Sequence, residues 1–145
     1  MNWSDFANAA PELAAYGAER LNGRVAYLAT TRKDGAPRVH PVTPIIGQGH
    51  FFLFMEPTSP KGKDLQRDGR YQIHCAMSDS TGESGEFWCA GRSKLMDDET
   101  SRALAAQIGY QPKPHYILFE LDVERAQSTV YQDEPVRTMW KKDAA

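Results

Sequence analysis

Residues 37–46 read as a β-strand that contains two prolines, Pro41 and Pro44, and this feature limits the fold more than any other. Proline has no N–H to donate to a β-ladder, so it is excluded from central strands. The segment must therefore be an edge strand, carry a bulge, or mark a place where the sheet opens. A turn at residues 33–35 precedes it, which predicts an antiparallel hairpin with the strand before the turn.

Five further segments have strand patterns, and three have helix patterns. Tyr71, Ile73, Cys75 and Met77 alternate on one strand face, whereas residues 25–31 are apolar on both faces and are predicted to lie deep in the sheet. The predicted strands are 25–31, 37–46, 50–55, 71–77, 86–95 and 115–123, and the predicted helices are 4–21 with a break at Pro11, 60–68, and one from a cap at Asp97 to Gly109. This pattern predicts a mainly β, α+β fold, a closed or partly open barrel, in one domain of 145 residues.

Composition excludes several functional classes. The formal net charge is −2, which argues against a nucleic-acid partner. No apolar run reaches the length of a membrane span, and the first residues lack the cationic and apolar regions of a secretory signal, so we expect a cytoplasmic protein. We expect Cys75 and Cys89 to be reduced, buried thiols. Together with His74 they do not form a recognised metal spacing, and no metal is expected.

Two lysines lie in the first turn of the predicted helix that begins after Ser59. Ser59 is a favourable N-cap, and Pro60 suits the first helical position. Free N–H groups and the positive end of the helix dipole favour an anion there, and acidic side chains usually occupy the place. Two interpretations follow: Lys61 and Lys63 either bind a phosphate at the helix start or belong to a solvated basic turn.

Several motifs occur in the order and spacing of one known family. They are Val25-Ala26-Tyr27-Leu28-Ala29-Thr30, Asp34-Gly35-Ala36-Pro37-Arg38-Val39-His40-Pro41-Val42, Phe51-Phe52-Leu53-Phe54, Ser59-Pro60-Lys61-Gly62-Lys63-Asp64-Leu65 and Phe87-Trp88-Cys89-Ala90-Gly91-Arg92. On these motifs nearly the whole chain resembles the flavin-binding split-barrel proteins related to pyridoxamine 5′-phosphate oxidase. The resemblance implies a six-stranded antiparallel split β-barrel with peripheral helices. It also implies a homodimer that holds FMN at the subunit interface and acts on a small-molecule substrate.

The resemblance further implies a set of cofactor-binding residues. Arg38 would contact the flavin phosphate, and Lys61 would contact it from the helix start. The others would support the phosphate, line the flavin ring or reach the cofactor of the partner subunit: Val39, His40, Pro41, Phe54, Met55, Ser59, Lys63, Glu86 and Trp140. At Glu86 the oxidases of this family are expected to have a neutral amide, and Pro60 stands where the family often has arginine.

Alternative interpretations remain open for these residues. Arg38 could be a charge at a strand edge, Phe54 and Met55 are core residues by pattern, and Trp140 could anchor the C-terminal segment.

The sequence contains no Gly-x-Ser-x-Gly motif and no evident catalytic triad, so no catalytic side chain is assigned. Such an absence fits a protein whose cofactor carries the chemistry. We therefore expect an FMN-dependent oxidoreductase that transfers hydride between a small molecule and the flavin. True pyridoxamine phosphate oxidation is not expected, because residues 136–141 lack the histidine of the family's arginine-x-histidine pair.

Two alternatives remain. The first is a reductase that uses the deazaflavin F420, with Arg67 and Arg70 contacting its longer phosphodiester tail. The second is a flavin-binding or haem-binding protein without turnover, in which His40, His74 or His115 would ligate haem.

Overall fold

The computed structural model describes residues 1–96 and 98–143, and within them it contains four helices and nine strands. The helices are α1 (Trp3–Ala9), α2 (Pro11–Leu21), α3 (Pro60–Arg67) and α4 (Glu99–Ile108). The strands are β1 (Ala26–Thr31), β2 (Pro37–Val42), β3 (Ile45–Gly47), β4 (His50–Met55), β5 (Arg70–Cys75), β6 (Glu86–Leu95), β7 (Ile117–Leu121), β8 (Arg125–Tyr131) and β9 (Pro135–Lys141).

The strands form one antiparallel, curled sheet in the order β2-β1-β5-β6-β7-β4-β3, with β8 and β9 added beside β6. The chain leaves β2 at one end of this order and enters β3 at the other, through Thr43 and Pro44. Two of the three predicted alternatives therefore hold: Pro41 lies in an edge strand, and the sheet opens at Pro44. Residues 37–46 are not one strand, however, because the chain breaks at Pro44 and changes its pairing partner.

The split-barrel fold is confirmed, but the strand count of six is wrong. Besides the division of residues 37–46, the sequence analysis missed the hairpin of β8 and β9. In β8 the buried side chains include the small polar groups of Ser128 and Thr129, so the strand carries no apolar alternation. β9 is exposed along most of its length, so its sequence has the pattern of a polar tail and not of a half-buried strand.

Three smaller predictions also need correction. β1 is not buried on both faces, since Tyr27 is exposed while Ala26 and Leu28 are buried. Met77 lies beyond the end of β5 and is exposed. Asp97 lies outside the described residues, and the N-cap of α4 is Asp98, whose side chain accepts a hydrogen bond of 2.8 Å from the Ser101 N–H.

The main core lies between the concave face of the sheet and the helices α1 and α2. Phe6 of α1 and Leu21 of α2 are fully buried and pack with Leu28 and Phe51 of the sheet. A second cluster lies under α4, where Ala105 packs with buried residues of β3, β4 and β7. No helix among the described residues is long and apolar enough to cross a membrane.

Candidate functional site

A cleft of about 400 Å³ opens between the end of β2, the end of β4 and the start of α3. Its volume lies in the range of small-molecule sites. The residues that line it are Pro41, Val42, Thr43, Phe54, Met55, Glu56, Lys61, Tyr110 and Tyr116. Four residues predicted to bind the cofactor, Pro41, Phe54, Met55 and Lys61, therefore meet in one place.

The start of α3 is fixed by a tight cap. The Ser59 hydroxyl accepts a hydrogen bond of 3.1 Å from the Gly62 N–H and donates one of 2.6 Å to the Glu56 carbonyl. A Cβ at Gly62 would lie 2.5 Å from that carbonyl oxygen, so only glycine fits there. Ser59 thus acts as a helix cap that joins the end of β4 to α3, and both hydrogen-bonding roles of its hydroxyl are used.

Lys61 is a half-buried cation on the wall of the cleft. Among the described residues, no carboxylate lies within salt-bridge distance of its ammonium group. Burial is the cause that lowers the pKa of Lys61. Lys63, two residues later, is exposed and does not line the cleft. The helix start therefore presents one unpaired cation to the cleft.

Arg38 lies near the same helix, but its nearest partner is an acidic residue that the sequence analysis did not single out. The Arg38 Nε donates a hydrogen bond of 2.8 Å to Oδ2 of Asp64 on α3. Thr30, the cross-strand neighbour of Arg38, donates one of 2.7 Å to the same oxygen. Burial opposes the charge of Asp64, yet these hydrogen bonds outweigh it and lower the pKa of the carboxyl. This pairing joins β1 and β2 to α3. Arg38 is therefore more than a charge at a strand edge, because it connects the sheet to the helix.

Phe54 and Met55 are both buried and serve the core as well as the cleft. The Phe54 ring contacts Tyr110, with a centroid separation of 5.7 Å. Met55 lies opposite Ile117 in the pairing of β4 with β7. Their edges give the cleft an apolar floor, and Tyr110 and Tyr116, which the sequence analysis did not identify, form further walls.

Val39 and His40 do not line the cleft. Val39 is 64% exposed, and the exposed His40 donates from Nδ1 to the carbonyl of Pro41 over 2.8 Å.

Glu86 and Trp140 lie elsewhere in the chain. Glu86 accepts a hydrogen bond of 3.2 Å from the Tyr131 hydroxyl, and its other oxygen is 3.9 Å from Nε2 of His74. Hydrogen bonding to Cys75 raises the pKa of His74 to about 9. Trp140 packs on Phe6 of its own chain, with ring centroids 4.9 Å apart.

The described residues contain no group of three or more His, Cys, Asp or Glu side chains that could hold a metal ion. The cleft instead combines an apolar floor and aromatic walls with three polar side chains, the Thr43 hydroxyl, the Glu56 carboxylate and the unpaired cation of Lys61 at a helix start. Such a site can hold a flat, partly apolar molecule that carries an anionic group.

No model of a known protein family and no curated protein matches the chain. Solved structures do match its fold. A pyridoxamine 5′-phosphate oxidase-related, FMN-binding protein from Nostoc punctiforme PCC 73102 is 15% identical with a TM-score of 0.70, over 90% of this chain and 88% of that one.

Two further structures have the same fold. PhzG from Burkholderia lata 383, in complex with tetrahydrophenazine-1-carboxylic acid, is 14% identical with a TM-score of 0.66, over 97% of this chain and 87% of that one. A haem-binding protein from Mycobacterium smegmatis is 19% identical with a TM-score of 0.68. The match covers 83% of this chain but only 55% of the mycobacterial one. These likenesses confirm the resemblance at the level of the fold.

Proposed function

We propose that this chain binds FMN in the cleft beside α3 and works as a flavin-dependent oxidoreductase. The observation that carries the proposal is the half-buried, unpaired Lys61 on the wall of a cleft with an apolar floor and aromatic walls. A buried cation without a counter-charge is costly, and a phosphate at the helix start would supply that charge. The FMN-binding neighbour from Nostoc punctiforme supports the choice of ligand.

The residues present fit this cofactor. Lys61 and the start of α3 would hold the phosphate, while Phe54, Met55 and Tyr110 would bound the ring and exclude water from it. FMN, when bound, supplies hydride transfer to or from a small molecule. The protein's part is to hold the ring between β2 and β4 and to leave one side of the cleft open for a substrate.

The two other cofactors have less support. The described residues that line the cleft include no histidine that could ligate haem. His115 is hydrogen-bonded to Glu56, and His40 and His74 are each hydrogen-bonded to a backbone carbonyl. The additional phosphate of F420 would need free cations nearby. Arg67 already donates to the Thr31 carbonyl and to Asp64, and Arg70 is paired with Asp68 at 2.7 Å.

Redox activity can be tested on the FMN-loaded protein under anaerobic conditions. On addition of a nicotinamide donor, we expect the visible flavin band to bleach and then to return when an electron acceptor is added. If the bound FMN is reduced by dithionite but by no nicotinamide donor, the protein is a flavin carrier or sensor, and the enzymatic part of the proposal is wrong.

We also propose that the protein is a cytoplasmic homodimer. One row of cross-strand neighbours runs from Tyr27 through His74, Trp88 and Gln127 to Met139. Tyr27, at 44% exposure, Met139, at 64%, and Val39 on β2, also at 64%, are open to solvent. Exposed apolar side chains of this kind are typical of an association surface. The thiols of Cys75 and Cys89 are free and buried, which is compatible with a reducing compartment.

Substitution of Val39 by glutamate should convert the dimer to a monomer, because it places a charge among these exposed apolar side chains. Light scattering coupled to gel filtration measures this directly. Leu95→Glu is the matched control, since Leu95 is 51% exposed but lies at the far end of β6, opposite Phe119 of β7. An unchanged mass for the Val39 variant would contradict this interface.

A further inference from the structure

Two side chains of opposite charge, Glu56 and Lys61, line the same cleft, yet they do not form an ion pair with each other. The Glu56 carboxylate is hydrogen-bonded instead to two residues that do not line the cleft. Its Oε1 accepts a hydrogen bond of 3.1 Å from the Thr58 hydroxyl, and its Oε2 accepts one from Nε2 of His115. Both carboxylate oxygens are therefore directed to partners other than Lys61.

We propose that His115 and Thr58 hold the Glu56 carboxylate away from Lys61, so that Lys61 is free for an anionic ligand. His115 is thus a positioning residue for the anion site. This inference rests on the proposed function, because the anion concerned is the phosphate of the cofactor.

The backbone geometry explains why Glu56 has this influence. Glu56 follows β4 directly, and its carbonyl oxygen accepts hydrogen bonds from the N–H and the hydroxyl of Ser59 at the start of α3. Its side chain is therefore tethered beside the helix start where the phosphate would bind. A carboxylate in that position repels an anion unless a cation neutralises it.

The hydrogen bond from Nε2 of His115 links Glu56 to the segment that leads into β7, whereas Thr58 lies only two residues along the chain. Removal of the His115 imidazole therefore frees Oε2 of Glu56, and the carboxylate can turn to Lys61.

The effect on binding can be measured with FMN as the probe. We expect H115Q to weaken binding about two- to fivefold, the size typical of a partly exposed charge pair. E56Q should bind at least as tightly as the wild type.

The double variant and a matched histidine provide the controls. In the E56Q background, H115Q should have no effect on the dissociation constant, because the carboxylate that His115 holds is gone. H50Q removes a histidine that is paired with Glu120 at 2.7 Å and does not line the cleft, so it should leave FMN affinity unchanged. An equal effect of H115Q with and without Glu56, or no effect in either background, would overturn the proposal.

A measurement without ligand separates this proposal from the proposed function. The pKa of Lys61, followed by NMR of its labelled side chain, should rise in H115Q, where the carboxylate is released toward it, and return in the double variant E56Q/H115Q. A rise without any FMN binding would support the positioning role of His115 and refute the cofactor assignment. An unchanged Lys61 pKa in H115Q would refute the positioning role whether or not FMN binds.

Discussion

Replacement of Lys61 by glutamine should weaken FMN binding about 30-fold, which corresponds to about 2 kcal/mol. The reason is that Lys61 is the unpaired cation of the cleft, so its charge is available to a phosphate. Titration of the purified protein with FMN, followed by the quenching of flavin fluorescence, measures the change.

The matched control for this prediction is Lys63→Gln on the same helix. Lys63 is exposed and does not line the cleft, so we expect its removal to change the dissociation constant less than about threefold, as for a solvent-screened surface charge. The thermal stability of the ligand-free K61Q protein should not fall, since a half-buried charge without a partner does not stabilise the fold. If both variants bound FMN equally well, the phosphate site would have to lie elsewhere.

Asp64→Asn should destabilise the protein by about 2–3 kcal/mol at neutral pH. Asp64 is 3% exposed and accepts hydrogen bonds from Thr30 and Arg38, so its charge holds β1, β2 and α3 together. The substitution preserves the shape of the side chain but leaves the Arg38 guanidinium without its counter-charge. Chemical denaturation followed by tryptophan fluorescence gives the free energy of unfolding.

The pH dependence of the Asp64 contribution has a definite sign. Its pKa is lowered in the folded protein, so the stabilisation is fully present above the ordinary aspartate pKa of about 3.9 and is lost as the pH falls through the folded value. The difference in free energy of unfolding between wild type and Asp64→Asn should therefore shrink in acid.

Asp68→Asn is the control variant, because it removes the partner of Arg70 at the surface end of the same helix, and it should have a smaller effect at neutral pH. If Asp64→Asn had the same free energy of unfolding as the wild type, the Arg38–Asp64 pair would not stabilise the fold.

The parts of the fold that follow local patterns could be predicted from the sequence. The prolines at 41 and 44 predicted an edge strand, a bulge or an opening at this place, because proline is excluded from central ladders wherever it occurs. The α3 start was predictable because Ser59 is a favourable N-cap and Pro60 suits the first helical position. Both features depend on residues close together in the chain.

Features that depend on distant partners were not predictable. Arg38 and Asp64 are 26 positions apart, and no local pattern indicates that they pair. Trp140 lies in a strand whose neighbours are mostly exposed, so its place against Phe6 follows from the pairing of β9 with β8. Tyr110 and Tyr116 line the cleft only because the segment after α4 leads into β7, which pairs with β4.

The most direct test of the cofactor assignment compares FMN with riboflavin, which has the same ring but no phosphate. We predict that the wild-type protein binds FMN with one equivalent per chain and at least about 30-fold more tightly than riboflavin, because the difference reports the contact with Lys61. Equal affinities for the two flavins, or no quenching of either, would contradict the assignment of a phosphate site at the start of α3.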